Sequence, residues 1–177
     1  MRPDSEIKQN VENELQADPD IRSDDIAVVV ATQGLGAEFL KKQAHERQIR
    51  NLKVLPWQPY EQLSDMLSSA EILTAIIEPE AGQFSVPSKV LSCFCAGRPV
   101  VAAMPSTNLA AQLVQRARAG VVVPPGDATA FMRAVDRLLD DPALADRLGE
   151  QGRRYAESHF DIGAIARRFK AIAAKGR

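Results

Sequence analysis

Residues 84–103, Phe84-Ser-Val-Pro-Ser-Lys-Val-Leu-Ser-Cys-Phe-Cys-Ala-Gly-Arg-Pro-Val-Val-Ala-Ala103, decide how this chain folds. They read as a loop, a short helix opening near Pro87, a glycine stop at Gly97 and a buried strand over 99–103. A helix N-terminus gathers unpaired N–H groups and the positive end of the macrodipole, so it can hold an anion. Ser88 and Lys89 stand in that first turn. Lysine is unfavourable beside the positive end of a helix. A hydroxyl and a long ammonium there suit a diphosphate better than they suit the helix itself. Taken alone, these residues read first as an ordinary helix start with a solvent-facing lysine. The surrounding pattern tips the reading.

Outward from this stretch, short apolar runs alternate with helical periodicity. Strands are expected at 26–31, 52–55, 71–77, 99–103 and 120–123. Helices are expected over 5–16, where Ile7, Val11 and Leu15 recur, over 37–47 and over 60–69. Thr107 or Asn108 caps a helix through Leu109, Leu113 and Val114. Asp127 caps another, with Phe131, Ala134, Val135, Leu138 and Leu139 on one face. Asp141-Pro142 opens a helix to about residue 157, and Asp161 caps a last one carrying Ile162, Ile165, Phe169 and Ile172 on one side. The order predicts an α/β fold: a Rossmann-like parallel sheet of about five strands with helices on both faces. Ligands bind beyond the carboxyl ends of such strands. The loops after Ala31, Leu55, Ile77 and Ala103 and the helix start at Pro87 therefore frame the candidate site.

The 177 residues carry a net charge of -1, with 25% charged residues. That suits one domain, or a domain with a tail, and gives no field that favours nucleic acid. No run approaches the ~20 apolar residues that span a bilayer, and the polar start at Met1 does not read as a secretory signal. Cys93 and Cys95 lie two apart on a helix and face different ways, so they neither pair nor share a metal well. They read as small buried hydrophobes in a reducing compartment. His45 and His159 are isolated and carry no assigned chemistry. No metal and no cofactor is expected.

In this order and spacing, several pieces together resemble a known family. They are Val28-Val-Val-Ala-Thr-Gln-Gly-Leu-Gly36, Leu52-Lys-Val-Leu-Pro-Trp-Gln-Pro59, Leu67-Ser-Ser-Ala-Glu71 and Pro87-Ser-Lys with Ala96-Gly-Arg-Pro-Val-Val101. Gly120-Val-Val-Val-Pro-Pro-Gly-Asp127, Leu138-Leu-Asp-Asp-Pro142 and Arg153-Arg-Tyr-Ala-Glu-Ser-His-Phe160 complete the set. From about residue 26 to residue 169 the chain resembles the C-terminal, nucleotide-sugar-binding domain of GT-B fold glycosyltransferases of family GT4. The Pro-Ser-Lys variant is similar to bacterial members that build surface polysaccharides, of the colanic-acid and O-antigen type.

The resemblance implies donor binding. Trp57 and Gln58 would hold the base, although Trp57 packing on Tyr60 is an equal alternative. Ser88 and Lys89 would meet the diphosphate, and Ser92 stands where the family carries a glutamate for the ribose hydroxyls. A serine there binds more weakly than a carboxylate. Glu78 and Glu80 in the preceding loop read as solvated rather than as substitutes. The resemblance further implies a retaining transferase in bacterial polysaccharide biosynthesis, with a UDP-sugar preferred to a GDP-sugar as donor and no cofactor.

The family's domain opens with a strand and a basic loop, and nothing before Ile26 reads as a strand. The acceptor-binding N-terminal domain is absent as well. The chain therefore reads as a fragment without turnover of its own: 1–25 a partial helix and linker, 26–160 the nucleotide-sugar domain, 161–177 a C-terminal amphipathic helix. Removing a central strand leaves five strands in the order 2-1-3-4-5, or exposes an edge through which the chain dimerises. The basic residues Arg147, Arg153, Arg154, Arg167, Arg168, Lys170, Lys175 and Arg177 read mainly as packing helices, with peripheral contact to an anionic membrane as the second reading. A cytoplasmic location, peripheral at the inner membrane, goes with it. Two other functions compete with this reading. A UDP-sugar 2-epimerase type lacks its acidic and histidine constellation, and a flavodoxin-like module such as a receiver lacks the Ser/Thr and Lys at its strand ends.

Overall fold

A computed structural model describes residues 27–78 and 88–175. The chain divides into two compact units, Met1–Ser69 and Ala70–Arg177. The expected helix over 5–16, Ile26, Glu80 and Pro87 lie outside the described residues.

In the first unit, β1 (Val28–Ala31) pairs in parallel with β2 (Leu52–Leu55), Val28 opposite Leu52 and Ala31 opposite Leu55. Helix α1 (Leu35–Glu46) connects them, starting two residues earlier than the sequence suggests. Gly34 opens it at φ 63, a conformation that a residue with a Cβ rarely adopts. After β2 the expected single helix divides into a 3-10 turn, Tyr60–Gln62, and α2, Leu63–Ser68.

In the second unit, β3 (Leu73–Ile76), β4 (Val100–Ala103) and β5 (Gly120–Val123) form a parallel sheet in the order β3-β4-β5. Helix α3 (Lys89–Ala96) joins β3 to β4, and α4 (Leu109–Ala117) joins β4 to β5. Helices α5 (Ala128–Asp140), α6 (Pro142–His159) and α7 (Ile162–Lys175) follow. All four residues of β4 are buried, as its unbroken apolar run predicts. Their alternation divides the core in two. Val100 and Ala102 pack with Val90, Cys93 and Phe94 of α3 and Ala111 and Val114 of α4. Val101 and Ala103 face the other way, into Ala134 and Leu138 of α5 and Ala145 of α6.

The α/β class with parallel strands stands as expected: β1 and β2 pair in the first unit, and β3, β4 and β5 in the second.

Helix α6 is drawn tightly onto α3. Gly149 and Gly152 supply the close face, and a methyl group on Gly149 would overlap the carbonyl oxygen of Gly97. Gly97 itself ends α3 in the left-handed region, at φ 68, as its place after Ala96 predicts. The Arg153 guanidinium donates to the Cys95 carbonyl in the last turn of α3 and pairs with Glu157 at 2.8 Å.

Candidate functional site

Three helices of the second unit present their N-termini at the carboxyl end of the β3-β4-β5 sheet, because each follows one of its strands. Two of these ends are closed by a side chain. The buried Asn108 Oδ1 accepts from the Ala110 N–H at 2.8 Å at the start of α4. Asp127 Oδ1 accepts from the Ala130 N–H at 2.8 Å at the start of α5. Both caps were expected from the sequence, with Thr107 as the alternative at α4.

The third helix, α3, differs. Its N-cap Ser88 has αR geometry, and its hydroxyl makes no capping hydrogen bond. The Ser88 carbonyl accepts from the Leu91 N–H at 2.9 Å, which tightens the first turn. No acidic residue stands in that turn. Ser88 and Lys89 are both exposed, and Ser92 is half-buried. Residues three and four apart share a helix face, so Ser92 lies on the side of α3 that carries Ser88 and Lys89. A helix start whose N-cap hydroxyl makes no capping bond, with an exposed ammonium and no carboxylate in its first turn, has the chemistry to receive an anion. Glu78 is exposed beyond the end of β3, as the solvated reading predicted.

Behind this face lies Cys93, free and buried. Burial pushes its thiol up to about 11, and the Lys89 ammonium one turn away opposes that only in part. A thiol so held is a packing group rather than a nucleophile. Cys95 corrects the expectation that both cysteines are buried: it is free but exposed. Two residues of rotation along a helix of 3.6 residues per turn carry it off the core face.

In the first unit, Trp57 and Gln58 follow β2. Gln58 is half-buried, and its Nε2 donates to the Pro56 carbonyl at 2.9 Å, which leaves the amide oxygen available. Trp57 is 68% exposed and Tyr60 83%, and no ring contact joins them among the described residues. The alternative of Trp57 packing on Tyr60 is thus unsupported, and the indole offers its face to solvent. Each unit presents its candidate residues beyond the carboxyl end of one of its own strands. Among the described residues no group of histidine, cysteine or carboxylate side chains could hold a metal ion. No described helix is long and apolar enough to cross a membrane.

The family model for glycosyl transferases group 1 matches residues 5–155. A putative colanic acid biosynthesis glycosyl transferase, WcaI of Escherichia coli K12, is 26% identical over 163 residues, 92% of this chain and 39% of that protein. An alpha-D-kanosaminyltransferase of Streptomyces kanamyceticus is 26% identical over 152 residues, 85% of this chain and 38% of that protein. Among solved structures, HepE of Anabaena in complex with UDP is similar with a TM-score of 0.73 at 14% identity, over 99% of this chain and 54% of that one. The chain spans about two fifths of the length of the curated relatives it matches.

Proposed function

The chain belongs to the glycosyl transferases group 1 family, and from that premise we propose that it binds the nucleotide diphosphate of a sugar donor for a retaining glycosyltransferase of bacterial polysaccharide biosynthesis. The observation that carries this reading is the start of α3, the one helix of the three that follow β3, β4 and β5 whose N-cap side chain leaves the N-terminal amides open. Lys89 and those amides would meet the diphosphate. They would also stabilise the charge that builds on it as the bond from the sugar to the diphosphate breaks. Ser92, one turn further, would give the ribose a single hydroxyl contact. The exposed face of Trp57 would stack on the base, with Gln58 beside it for an edge contact. UDP is preferred to GDP, in keeping with the UDP bound in HepE.

An acceptor-binding domain outside these residues would complete the enzyme, so the chain alone should bind donor without turnover. The domain reading of the sequence, with 26–160 holding the donor and 161–177 as a terminal helix, goes with it. So does a cytoplasmic location.

Two partner readings have a structural observation behind them. Helix α7 exposes Ile162, Phe169 and Ile172 and carries Arg167, Arg168 and Lys170 with no acidic residue between Ile162 and Lys175. That composition supports peripheral contact with an anionic membrane. Val28 and Val29 are exposed on β1, which supports dimerisation through a strand edge.

The test is ligand-observed NMR with UDP, UDP-GlcNAc and GDP on this chain and on Lys89→Ala. Saturation transfer to the uridine protons, stronger than to guanosine and lost in Lys89→Ala, is the expected result. Uridine binding that survives Lys89→Ala unchanged would overturn the placement of the diphosphate at α3.

A further inference from the structure

At the opposite end of the β3-β4-β5 sheet, where α4 leads into the first residue of β5, an open cleft of about 300 Å³ is lined by Arg116, Arg118, Gln151, Arg154, Tyr155 and Ser158 beside Ala117. Three arginines thus line one hollow of the second unit. Among the described residues the one carboxylate paired to them is Glu150, 3.3 Å from Arg154, with both side chains about two-thirds exposed. Such a pair exchanges cheaply for a better acceptor.

Helix electrostatics explains part of this. Basic residues are favoured at a helix C-terminus, and Arg116 sits in the last turn of α4. It does not explain Arg118. That residue closes α4 at φ 51, in the left-handed region where glycine or asparagine is the usual choice. An arginine there costs about 1 kcal/mol over glycine. On the same wall, Gln151 buries its Oε1 with no hydrogen-bond partner among the described residues. Local costs of this kind gather at functional sites. The left-handed Arg118, a residue that the backbone alone would replace with glycine, needs a reason that packing does not give.

We propose that this cleft is a second anion site, separate from the start of α3, and that it takes the phosphate group of a phosphoester through Arg116, Arg118 and Arg154. Planar guanidiniums pair bidentately with phosphate oxygens, which lysines at these positions would not do. The phenol of Tyr155 on the same lining suits a remaining oxygen, whereas the Ser158 hydroxyl is already engaged, 2.9 Å from the Arg154 carbonyl and 2.7 Å from His159 Nδ1. The same chemistry is offered by a soluble phosphoester and by the headgroup of an anionic phospholipid.

The experiment uses the Lys89→Ala chain throughout, so that the start of α3 loses its ammonium and contributes less. In one arm, inorganic pyrophosphate is titrated by calorimetry at low salt. In the other, the protein is floated with phosphatidylcholine vesicles with and without phosphatidic acid. Arg118→Gly and Arg154→Gln are compared with their parent in both. Arg118→Gly is the decisive variant, because glycine fits φ 51 better than arginine and the protein should become more stable to heat. Each variant should weaken the binding by about tenfold, the loss of roughly one charged hydrogen-bonded contact. Loss of pyrophosphate binding assigns a soluble phosphoester. Loss of flotation alone assigns a lipid headgroup. Binding in neither arm, or binding that both variants leave unchanged, overturns the proposal.

Discussion

Gly149→Ala tests the packing that fixes α3, and its sign is set by two opposed terms. Alanine is better than glycine in a helix interior by about 1 kcal/mol, so on propensity alone α6 should gain. The new methyl, however, has no room. Its nearest neighbours are the Gly97 carbonyl oxygen, which it would overlap, the Gly97 carbonyl carbon at 3.0 Å and the Arg98 Cα at 3.3 Å. All three are backbone, held by the left-handed Gly97 on one side and by the buried Pro99 and β4 on the other, so none can rotate aside. The helices must separate instead. A gap of 0.5–1 Å forfeits about a quarter to a half of each dispersion contact. Overpacking of this kind costs about 1–3 kcal/mol, and a backbone obstacle points to the upper end. Against the helix gain, the net loss is about 2 kcal/mol. Urea unfolding followed by far-ultraviolet circular dichroism should show the second unit melting about 1 M earlier. Gly163→Ala on exposed α7 is the control, since its nearest atoms are the ends of Arg167 and Asp161 at 3.3 Å, which can move. A Gly149→Ala chain as stable as its parent, or more so, would refute the claim that α6 touches α3 backbone to backbone.

Asn108→Ala should cost about 1–2 kcal/mol, because it removes a buried cap, whereas Asp127→Ala, at an exposed cap, should cost about 1 kcal/mol or less. Ser88→Ala should shift the urea midpoint by no more than about 0.5 kcal/mol in stability, since that hydroxyl caps nothing; a larger loss would mean that the start of α3 is already closed. Iodoacetamide at neutral pH should label Cys95 quickly and Cys93 only on unfolding, read by peptide mass spectrometry; equal rates would contradict the buried thiol. Alkali should destabilise the fold through Cys93. Its folded pKa, raised to about 11, lies above the ordinary 9.0, so the unfolded chain loses the proton first. The stability is complete below pH 9 and falls between pH 9 and 11 by up to about 1.4 kcal/mol per unit, a slope that Cys93→Ala should remove.

The strand positions were legible because a buried parallel strand reads as an unbroken apolar run. Residues 52–55 and 120–123 were read with the boundaries the structure has, and 99–103 was long by one. Caps were legible for a local reason: Asn108, Asp127, Asp141 and Asp161 each accept from an amide two or three residues ahead. What the sequence could not show depends on contacts far apart in the chain. The exposure of Cys95 turned on rotation about α3, which a short apolar helix hides. The arginine cleft joins the end of α4 to the last turns of α6, 33 or more residues apart, and Arg118 gives no sequence signal because left-handed helix ends are normally recognised by glycine.

The treatment of helix ends in the second unit separates stability from binding. An open N-terminus wastes a favourable contact, and α4 to α7 each spend an Asn or Asp side chain to avoid that. Helix α3 does not, although Ser88 occupies the position from which serine would normally cap. Its other end is over-secured: Gly97 closes it, Arg153 donates to its last-turn carbonyl, and two glycines of α6 bring a whole helix against it. The short α3 is therefore held from behind and through its core face, by Val90, Cys93 and Phe94, rather than by its own N-cap. That division lets the first turn stay open without fraying the helix. It also predicts an asymmetry: loosening α6 with Gly149→Ala should weaken ligand binding at Lys89 by moving the amides, while closing the amides with Ser88→Asp should weaken binding and raise stability. If Ser88→Asp lowered neither UDP binding nor pyrophosphate binding, the open start of α3 would have no part in holding a diphosphate.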